Sequence, residues 1–417
     1  PAHWISECFP GQFRNWFYSL LAMATVMDGT PPFLTNFTYA TLLAEDGRPM
    51  HKSWGNSIEF NEAADKIGVD VMRWLYCAHK PENDLLFGYT RGDEIRRRYL
   101  IPLWNVYSFF VTYANLDGWQ PKTEGFDPNV PEGNTPKGVG LLDRWILARL
   151  NQVTARVGEQ LERCDFLGAT LAVEELLEDL TNWYIRRSRR RFWKSERDDD
   201  KHGAYATLYH VLVKLIKLLA PFTPFVTEQI YQNLVRTAQA GAHLSVHHCR
   251  WPEADLAAVD KTLLDQMQLA RQVATLGLSA RNEANLKVRQ PLGRALVHSL
   301  SKTELTPEMI EIVLDELNVK SIEVVEHEGD LVEYKVLPDN KLLGARFGAK
   351  FPAVRKAISD ADPKEIAARV RAGEKSSVEL EGETIEFDPN ELIISTVAAT
   401  GLAVAFDRGV TVAIDTK

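Results

Sequence analysis

A loop at residues 47–56 combines the residue types that bind phosphate groups. Gly47 and Gly55 let the backbone close around a ligand, and Lys52 offers a compact positive charge on a flexible stem. If that charge meets the phosphates only as they separate, it lowers the barrier to reaction instead of merely binding the substrate. A lysine and a serine between glycines also occur in plain surface loops, so the pattern predicts a phosphate site only together with its context.

A second candidate is the basic and aromatic run at residues 182–194. Its five arginines, at positions 186, 187, 189, 190 and 191, sweep about 200° of a helix circumference at 100° per residue. A core that hid all of them would have to neutralise each charge, so some must face a polyanion, acidic neighbours or solvent. One interpretation is a solvated, salt-bridged helix end. We favour RNA, because arginine forks and flat aromatic rings suit phosphates and unstacked bases.

The 417-residue chain has the composition of a folded globular protein, with 45% hydrophobic and 25% charged residues. No stretch offers the roughly eighteen uncharged apolar residues that span a bilayer, and the beginning lacks the pattern of a secretory signal. The four cysteines stand too far apart for a metal or redox motif. We therefore predict a cytoplasmic protein with no membrane contact and no metal site. A net charge of −9 argues against a nucleic-acid partner unless the positive charge is concentrated in one place.

The elements around the loop indicate an α/β layer. Apolar and aromatic residues recur at helical spacing over residues 12–27, and a buried strand is predicted over 37–43, before a turn at 45–47. A long helical pattern follows over 94–114, with a kink or restart at Pro102.

Three helix starts have candidate capping residues. Asn61 can cap a short helix that ends near residue 67, and Asp70 can cap the next helix. Thr223, followed by Pro224, is a suitable cap and first position for a later helix.

The rest of the chain divides by pattern. Apolar residues repeat every three or four positions from 141 to about 235, which predicts a helical bundle of four or five members. Helices and short strands mix beyond it. We predict a first α/β segment over 1–115, a proline- and glycine-rich linker over 116–140, a helical domain over 141–255, a junction α+β domain over 256–338 and a last α+β segment over 339–417.

Within the α+β part the pattern predicts individual elements. The helices are expected over 263–283, 307–317 and 363–371. An apolar segment is expected over 294–300, and strands are expected over 321–325, 331–337, 377–381, 393–397 and 410–414.

The order of these motifs resembles the class I aminoacyl-tRNA synthetases, and among them the isoleucyl-tRNA synthetases. Residues 50–56, Met-His-Lys-Ser-Trp-Gly-Asn, resemble the KMSKS loop of that class, and residues 68–74 resemble the Gly-x-Asp-x-x-Arg segment that follows it. The resemblance covers essentially the whole chain. The other similar segments are residues 5–7, 12–18, 183–193, 219–225 and 287–292.

The resemblance implies a multi-domain, mainly α-helical protein. It would contain the end of a Rossmann-like catalytic fold, an all-helical anticodon-binding bundle and a small α+β part. The implied activity is formation of an isoleucyl-adenylate from isoleucine and ATP, followed by transfer of isoleucine to its tRNA. The implied partners are tRNA, isoleucine and ATP with Mg²⁺ as its counter-ion, and we expect a monomer.

Motif positions also imply roles for individual residues. Lys52 would stabilise the departing pyrophosphate, with His51 and Ser53 shaping the loop around it. Glu7 would contact the aminoacyl-adenylate, with Gln12 as a nearby candidate. The predicted tRNA contacts on the helical bundle are Arg186, Arg187, Arg190 and Trp193.

The sequence departs from the family pattern in the loop, where Pro49 and His51 stand in place of the usual first lysine and first serine. The His-x-Gly-His motif of the catalytic half and the editing domain are not found, so we expect a carboxyl-terminal piece that does not activate isoleucine alone. Two alternatives are a corresponding piece of a valyl or leucyl enzyme and a non-catalytic tRNA-binding paralogue. Discrimination of one methylene is worth only about 1–3 kcal/mol and resides mostly in the other half.

Overall fold

The structure, a computed structural model, describes residues 1–121, 140–301, 303–380 and 382–416. The chain forms two compact units, residues 1–260 and 261–417. Most of the predicted linker at 116–140 lies outside the described residues. Its first two residues belong instead to a helix that continues to Asp117, where Gly118 caps it in the left-handed conformation at φ 64°.

Short strands and helices alternate in the first part of unit 1. The strands form two parallel pairs, β1 with β2 and β3 with β4. Residues Phe13–Phe17 and Arg96–Leu100 form π-helical turns. The elements are β1 (Ala2–Cys8), α1 (Phe9–Gln12), α2 (Tyr18–Asp28), β2 (Phe33–Tyr39), β3 (Leu42–Ala44), α3 (Phe60–Lys66), α4 (Val69–Cys77), β4 (Leu85–Phe87), α5 (Tyr89–Ile95) and α6 (Ile101–Asp117).

The prediction of a single strand over 37–43 is wrong in one respect. The segment contains the end of β2, which pairs with β1, and most of β3, which pairs with β4. The Ala40 N–H donates to the Pro81 carbonyl (2.8 Å), and the Thr41 N–H donates to the Asp84 carboxylate (2.9 Å). The two ends of the segment therefore pair in different sheets, as β2 and β3. No periodicity in the sequence marks such a change, because the apolar run is continuous.

The helical pattern over 12–27 forms a helix whose apolar stripe is largely exposed. Of the stripe, Phe17 is buried, whereas Phe13 and Leu21 are 57% and 49% exposed. Helix α2 buries none of its side chains against the described residues. The kink or restart expected at Pro102 takes the form of a change in helix type: the π-helical turn Arg96–Leu100 leads without a break into α6, whose second residue is Pro102.

The predicted cap at Asn61 is wrong. Helix α3 begins two residues earlier, and the Glu59 carboxylate accepts from the Glu62 N–H (3.1 Å) in place of Asn61. The side chain of Asn61 donates instead to Glu59 (3.2 Å). Two residues with capping side chains therefore compete for one helix start, and the carboxylate occupies it.

The second part of unit 1 is the predicted helical bundle. The predicted apolar stripes line its core, with Leu150, Val157, Leu176 and Leu212 at 0% exposure. A π-helical turn, Asp179–Ile185, leads into the basic run. The helices are α7 (Leu141–Glu162), α8 (Phe166–Glu178), α9 (Arg186–Trp193), α10 (Asp199–Leu219) and α11 (Pro224–Tyr231).

Unit 2 mixes helices with small sheets. A four-stranded sheet has the order β11-β12-β5-β6, in which only β5 and β6 run parallel, and α12 packs against it. β7 pairs with β10, and β8 with β9, both antiparallel. The elements are α12 (Lys261–Glu283), β5 (Leu292–Ser299), α13 (Pro307–Leu317), β6 (Val319–Val324), β7 (Val332–Pro338), α14 (Asn340–Phe347), α15 (Phe351–Asp360), α16 (Pro363–Arg371), β8 (Ser376–Leu380), β9 (Glu383–Phe387), β10 (Leu392–Ala398), β11 (Leu402–Asp407) and β12 (Val410–Asp415).

Every helix and strand predicted in unit 2 is present there, within two residues at each end. The sequence did not predict α14, α15, β9 or β11. Among the described residues, no helix is long and apolar enough to cross a membrane.

Candidate nucleotide loop and nucleic-acid interface

The loop that carries Lys52 is closed by hydrogen bonds between the side chain of Asn56 and the loop backbone. The amide of Asn56 accepts from the His51 N–H (2.9 Å) and donates to the Pro49 carbonyl (2.9 Å), so one side chain closes the loop across its base. Pro49 also forms an isolated bridge to Leu43 at the edge of β3. These contacts hold the loop in place without using the side chain of Lys52.

The side chains of the loop point outward. Lys52 and Ser53 are exposed within a single 3₁₀ turn that Gly55 ends at φ 69°. The ring of His51 meets the ring of Trp54 edge to face at a centroid distance of 4.4 Å, and Trp54 is 61% exposed. The turn thus presents one cation beside an aromatic pair, an arrangement that can accept a phosphate group and a flat ring.

Glu7 and Gln12 already have local hydrogen bonds. The Glu7 carboxylate accepts from the Cys8 N–H (2.8 Å) and from the Tyr39 hydroxyl (3.4 Å). Burial and the charge of Glu7 together raise the pKa of Tyr39. The amide oxygen of Gln12 accepts from the Trp16 N–H (3.3 Å). Within the described residues no hydrogen bond or ion pair joins either side chain to Lys52, so the structure does not bring the three predicted residues into contact.

The basic run has an inner and an outer face. Tyr184, Ser188 and Phe192 are buried at spacings of four residues. The exposed positions on the opposite side follow the same helical spacing and are Asn182, Arg186, Arg189, Arg190 and Trp193. We call these five residues the outer arginine face.

One arginine of the run faces inward. Arg191 forms two hydrogen bonds, of 2.7 and 2.8 Å, with the carboxylate of Asp143 on α7, whose side chain is fully buried. The Tyr184 hydroxyl donates to the same carboxylate (2.8 Å), and Asp200 approaches Arg191 at 2.7 Å. Burial alone would raise the pKa of Asp143, but the hydrogen bonds and charge of Arg191 outweigh it and hold the pKa below its usual value. Arg191 therefore serves the fold.

Three of the four predicted tRNA contacts lie on the outer arginine face. Arg186 donates to the Asn182 carbonyl (2.7 Å) and lies over the Trp183 ring at 5.9 Å. Arg190 is exposed and forms no ion pair with the described residues, and Trp193 is 56% exposed. Arg187 is half-buried at the flank of this face.

Sequence reasoning missed one arginine of the face. Arg189 is exposed and forms no ion pair with the described residues. It stands three residues after Arg186, a spacing that already places it on the same side of a helix. Helical periodicity, anchored on the buried Tyr184 and Phe192, would have found it.

Two motifs that are far apart in the sequence meet in unit 1. Asp70 was predicted to cap its own helix, but its carboxylate accepts from the N–H groups of Phe225 (3.3 Å) and Val226 (2.6 Å) at the start of α11. Arg73 donates to the carbonyls of Phe222 (2.9 Å) and Pro221 (2.7 Å). We call this contact the motif junction. It ties the segment that follows the Lys52 loop to the end of the bundle.

Aromatic stacking supports the motif junction. Trp74 and Tyr99 stack with a centroid distance of 3.6 Å and an interplanar angle of 4°. The Tyr99 hydroxyl bonds the Thr223 hydroxyl (2.6 Å), so Thr223 does not cap α11 with its side chain as predicted. Burial raises the pKa of Asp70 even though two backbone N–H groups and Arg73 favour its charged form.

No group of three or more histidine, cysteine, aspartate or glutamate side chains converges to hold a metal ion in the part of the chain that the structure describes. His247 and His248 lie in the 3₁₀ turn Val246–His248, and Cys249 follows at its end.

Two family models match the chain. The model described as "tRNA synthetases class I (I, L, M and V)" matches residues 1–87, and the model described as "Anticodon-binding domain of tRNA ligase" matches residues 143–296. The Lys52 loop falls within the first match and the outer arginine face within the second. In both segments the chain is therefore similar to class I tRNA synthetases.

Among the curated relatives that it matches are isoleucine–tRNA ligases. The chain is 39% identical to that of Clostridium acetobutylicum over 97% of its own length and 38% of the relative. It is 39% identical to that of Clostridium novyi over 100% of its own length and 39% of the relative. With the ligase of Dehalococcoides mccartyi it shares 42% identity over 90% of its own length and 36% of the relative. The chain thus spans less than two fifths of these relatives and is similar to their carboxyl-terminal portion.

Proposed function

We propose that this chain supplies the carboxyl-terminal portion of an isoleucine–tRNA ligase, which attaches isoleucine to its tRNA through an isoleucyl-adenylate. The observation that carries the proposal is the outer arginine face. Arg189 and Arg190 expose their charges on a chain whose net charge is −9, and they do so within the stretch that matches an anticodon-binding domain. Exposed arginines beside an exposed tryptophan suit the phosphates and unstacked bases of an RNA loop.

The Lys52 loop has a different role in this proposal. Its exposed ammonium group binds the phosphates of ATP and stabilises the negative charge that develops as pyrophosphate leaves. His51 and Ser53 shape the turn that presents it. Magnesium enters with ATP as its counter-ion, and the loop supplies positive charge beside it.

Glu7 is a weaker part of the proposal than Lys52. Its carboxylate is half-buried at the end of β1, where it can accept a hydrogen bond from the adenylate in addition to those from Cys8 and Tyr39. Gln12 uses its amide oxygen for Trp16, which leaves its amide NH₂ group as the donor to a ligand. We also propose that the protein acts in the cytoplasm, together with its tRNA.

Binding of isoleucine tRNA to the chain, measured across a salt titration, tests the proposal. Arg186→Ala with Arg190→Ala should weaken binding and make its salt dependence shallower, by about 0.7 to 0.9 in log–log slope for each phosphate group that the variant no longer neutralises. The matched control is Arg355→Ala with Lys356→Ala, which removes two exposed charges from α15. Affinity that ignores salt, or a wild-type chain that does not distinguish the isoleucine anticodon from a changed one, would contradict the proposed function.

A further inference from the structure

A second basic segment lies in unit 2, in the loop at residues 284–291 that joins α12 to β5. Arg281, in the last turn of α12, donates from one terminal nitrogen to the carbonyls of Lys287 (2.6 Å) and Gln290. The Asn318 amide donates to the Val288 carbonyl (2.9 Å) from the other side. Side chains of two neighbouring elements therefore fix the loop backbone. We call this segment the clamped loop.

The clamp itself is a buried cation without a counter-charge. Arg281 is 0% exposed, and its remaining nitrogens, Nε and Nη1, have no hydrogen-bond partner among the described residues. Burial lowers the pKa of Arg281, which forms no ion pair with a carboxylate of the described residues. A buried guanidinium without a carboxylate is costly, and the hydrogen bonds that Arg281 forms with the described residues go to the loop backbone.

The side chains of the clamped loop face outward. Lys287 and Arg289 are exposed, and neither forms an ion pair with the described residues. Val288, between them, is 46% exposed. Glu283 is the one carboxylate in the sequence from 281 to 292, so three cations outnumber it there. The clamped loop is thus net positive on a chain whose net charge is −9. Its two exposed cations form no ion pair with the described residues.

We infer that the clamped loop is a second binding site for the phosphate backbone of RNA. Lys287 and Arg289 each contact a phosphate group, and Arg281 is a positioning residue that fixes the loop backbone. The inference rests on the proposed function, since the RNA in question is the tRNA. A preorganised cationic loop loses little conformational entropy when it binds phosphates. Its contacts fix the position of the RNA backbone and carry no information about base sequence.

The test compares Lys287→Ala with Arg289→Ala against the Arg355→Ala with Lys356→Ala control, in the full chain and with an isoleucine tRNA transcript. The loop variant should lose affinity about tenfold or more at 0.1 M salt. Its log–log salt slope should be shallower by about 1.4 to 1.8, which corresponds to two phosphate groups. A transcript with a changed anticodon should show the same loss, because phosphate contacts carry no base information.

Arg281→Met separates positioning from plain structural support. Alone it should lower tRNA affinity, but added to the loop variant it should lower affinity no further, since its effect passes through Lys287 and Arg289. A purely structural role would lower affinity equally in both backgrounds.

Three results would overturn the inference: an unchanged salt slope in the loop variant, a loss restricted to one anticodon, or an equal loss in the α15 control. Each leaves the proposed function standing, provided that the wild type binds tRNA with a strong salt dependence. If the wild type does not bind tRNA at all, the proposed function itself fails.

Discussion

The helical bundle and the Lys52 loop use positive charge in opposite ways. In the bundle, Arg191 and Lys201 turn inward and pair with Asp143 and Asp117, so their charges are part of the fold. In the loop, the backbone is closed by an amide and the cation is left exposed. Basic residues in this chain therefore have two different roles, one in stabilising the fold and one in contacting ligands. Changes to the inward charges should affect stability, and changes to the outward charges should affect ligands.

The largest effect is expected in the bundle. Asp143→Ala leaves the Arg191 guanidinium without its bidentate partner in a largely buried position, which should lower the free energy of unfolding by about 3–5 kcal/mol. Urea denaturation followed by circular dichroism measures the change. Asp46→Ala, which breaks an exposed pair with Arg48, is the control and should leave the unfolding midpoint unchanged.

The pH dependence of stability checks the same contact. Because the folded-state pKa of Asp143 is below its usual value of about 3.9, its ionised form stabilises the fold above that pH, and this contribution is lost as pH falls through the folded-state pKa. The difference in stability between wild type and Asp143→Asn should therefore narrow below about pH 4. A difference that stays constant down to pH 2 would contradict the role of this ion pair.

In the loop, Lys52→Ala should leave stability unchanged and act on chemistry. In the full-length enzyme, isoleucine-dependent pyrophosphate exchange should fall by a factor on the order of 10² to 10³, the range for one transition-state donor. Lys80→Ala, an exposed lysine outside the loop, is the matched control. A wild type without exchange would favour the non-catalytic paralogue, and exchange with valine or leucine instead would favour a sister enzyme.

A smaller loss of stability is expected at the motif junction, where the partly exposed side chain of Arg73 stabilises the fold. Arg73→Ala removes two charge-assisted hydrogen bonds to the carbonyls of Pro221 and Phe222, which should cost about 1–3 kcal/mol of unfolding free energy. Arg91→Ala, which breaks an exposed pair with Glu94, should cost less. If both variants unfold at the wild-type midpoint, the junction contributes no stability.

Local signals account for what the sequence predicted well. Helix α13 lies where it was expected, because Thr306 caps its start (3.3 Å to the Met309 N–H) and Asn318 ends it in the left-handed conformation. Helix α16 begins at Pro363 for similar reasons. The resemblance to the family is confirmed as well, since the motifs that indicated it are contiguous residues whose order can be read directly. The roles of Lys52, Glu7 and the outer arginines stay predictions.

Helices α14 and α15 were missed for the opposite reason. Both are short, at 8 and 10 residues, and they bury only Leu343 in α14 and Val354 and Ile358 in α15, so each is shorter than the window of about 11–18 residues over which apolar periodicity is read. Their packing in the small core of unit 2, with Phe387 of β9 and Leu392 of β10, holds them in place. Packing against residues that are distant in the sequence therefore stabilises these two helices, which the local apolar pattern did not predict.

By itself the sequence determined which residues could do chemistry, where most helices lie and which family the chain resembles, because these depend on residue type, spacing and order. Only the tertiary structure decided which arginine of the basic run faces inward, because Asp143 lies 48 residues away along the chain. The structure likewise decided that Asp70 caps α11, since two orphan N–H groups there compete for a carboxylate that its own helix could have used. A side chain with several possible partners is assigned to one of them only when folding brings that partner within hydrogen-bond distance.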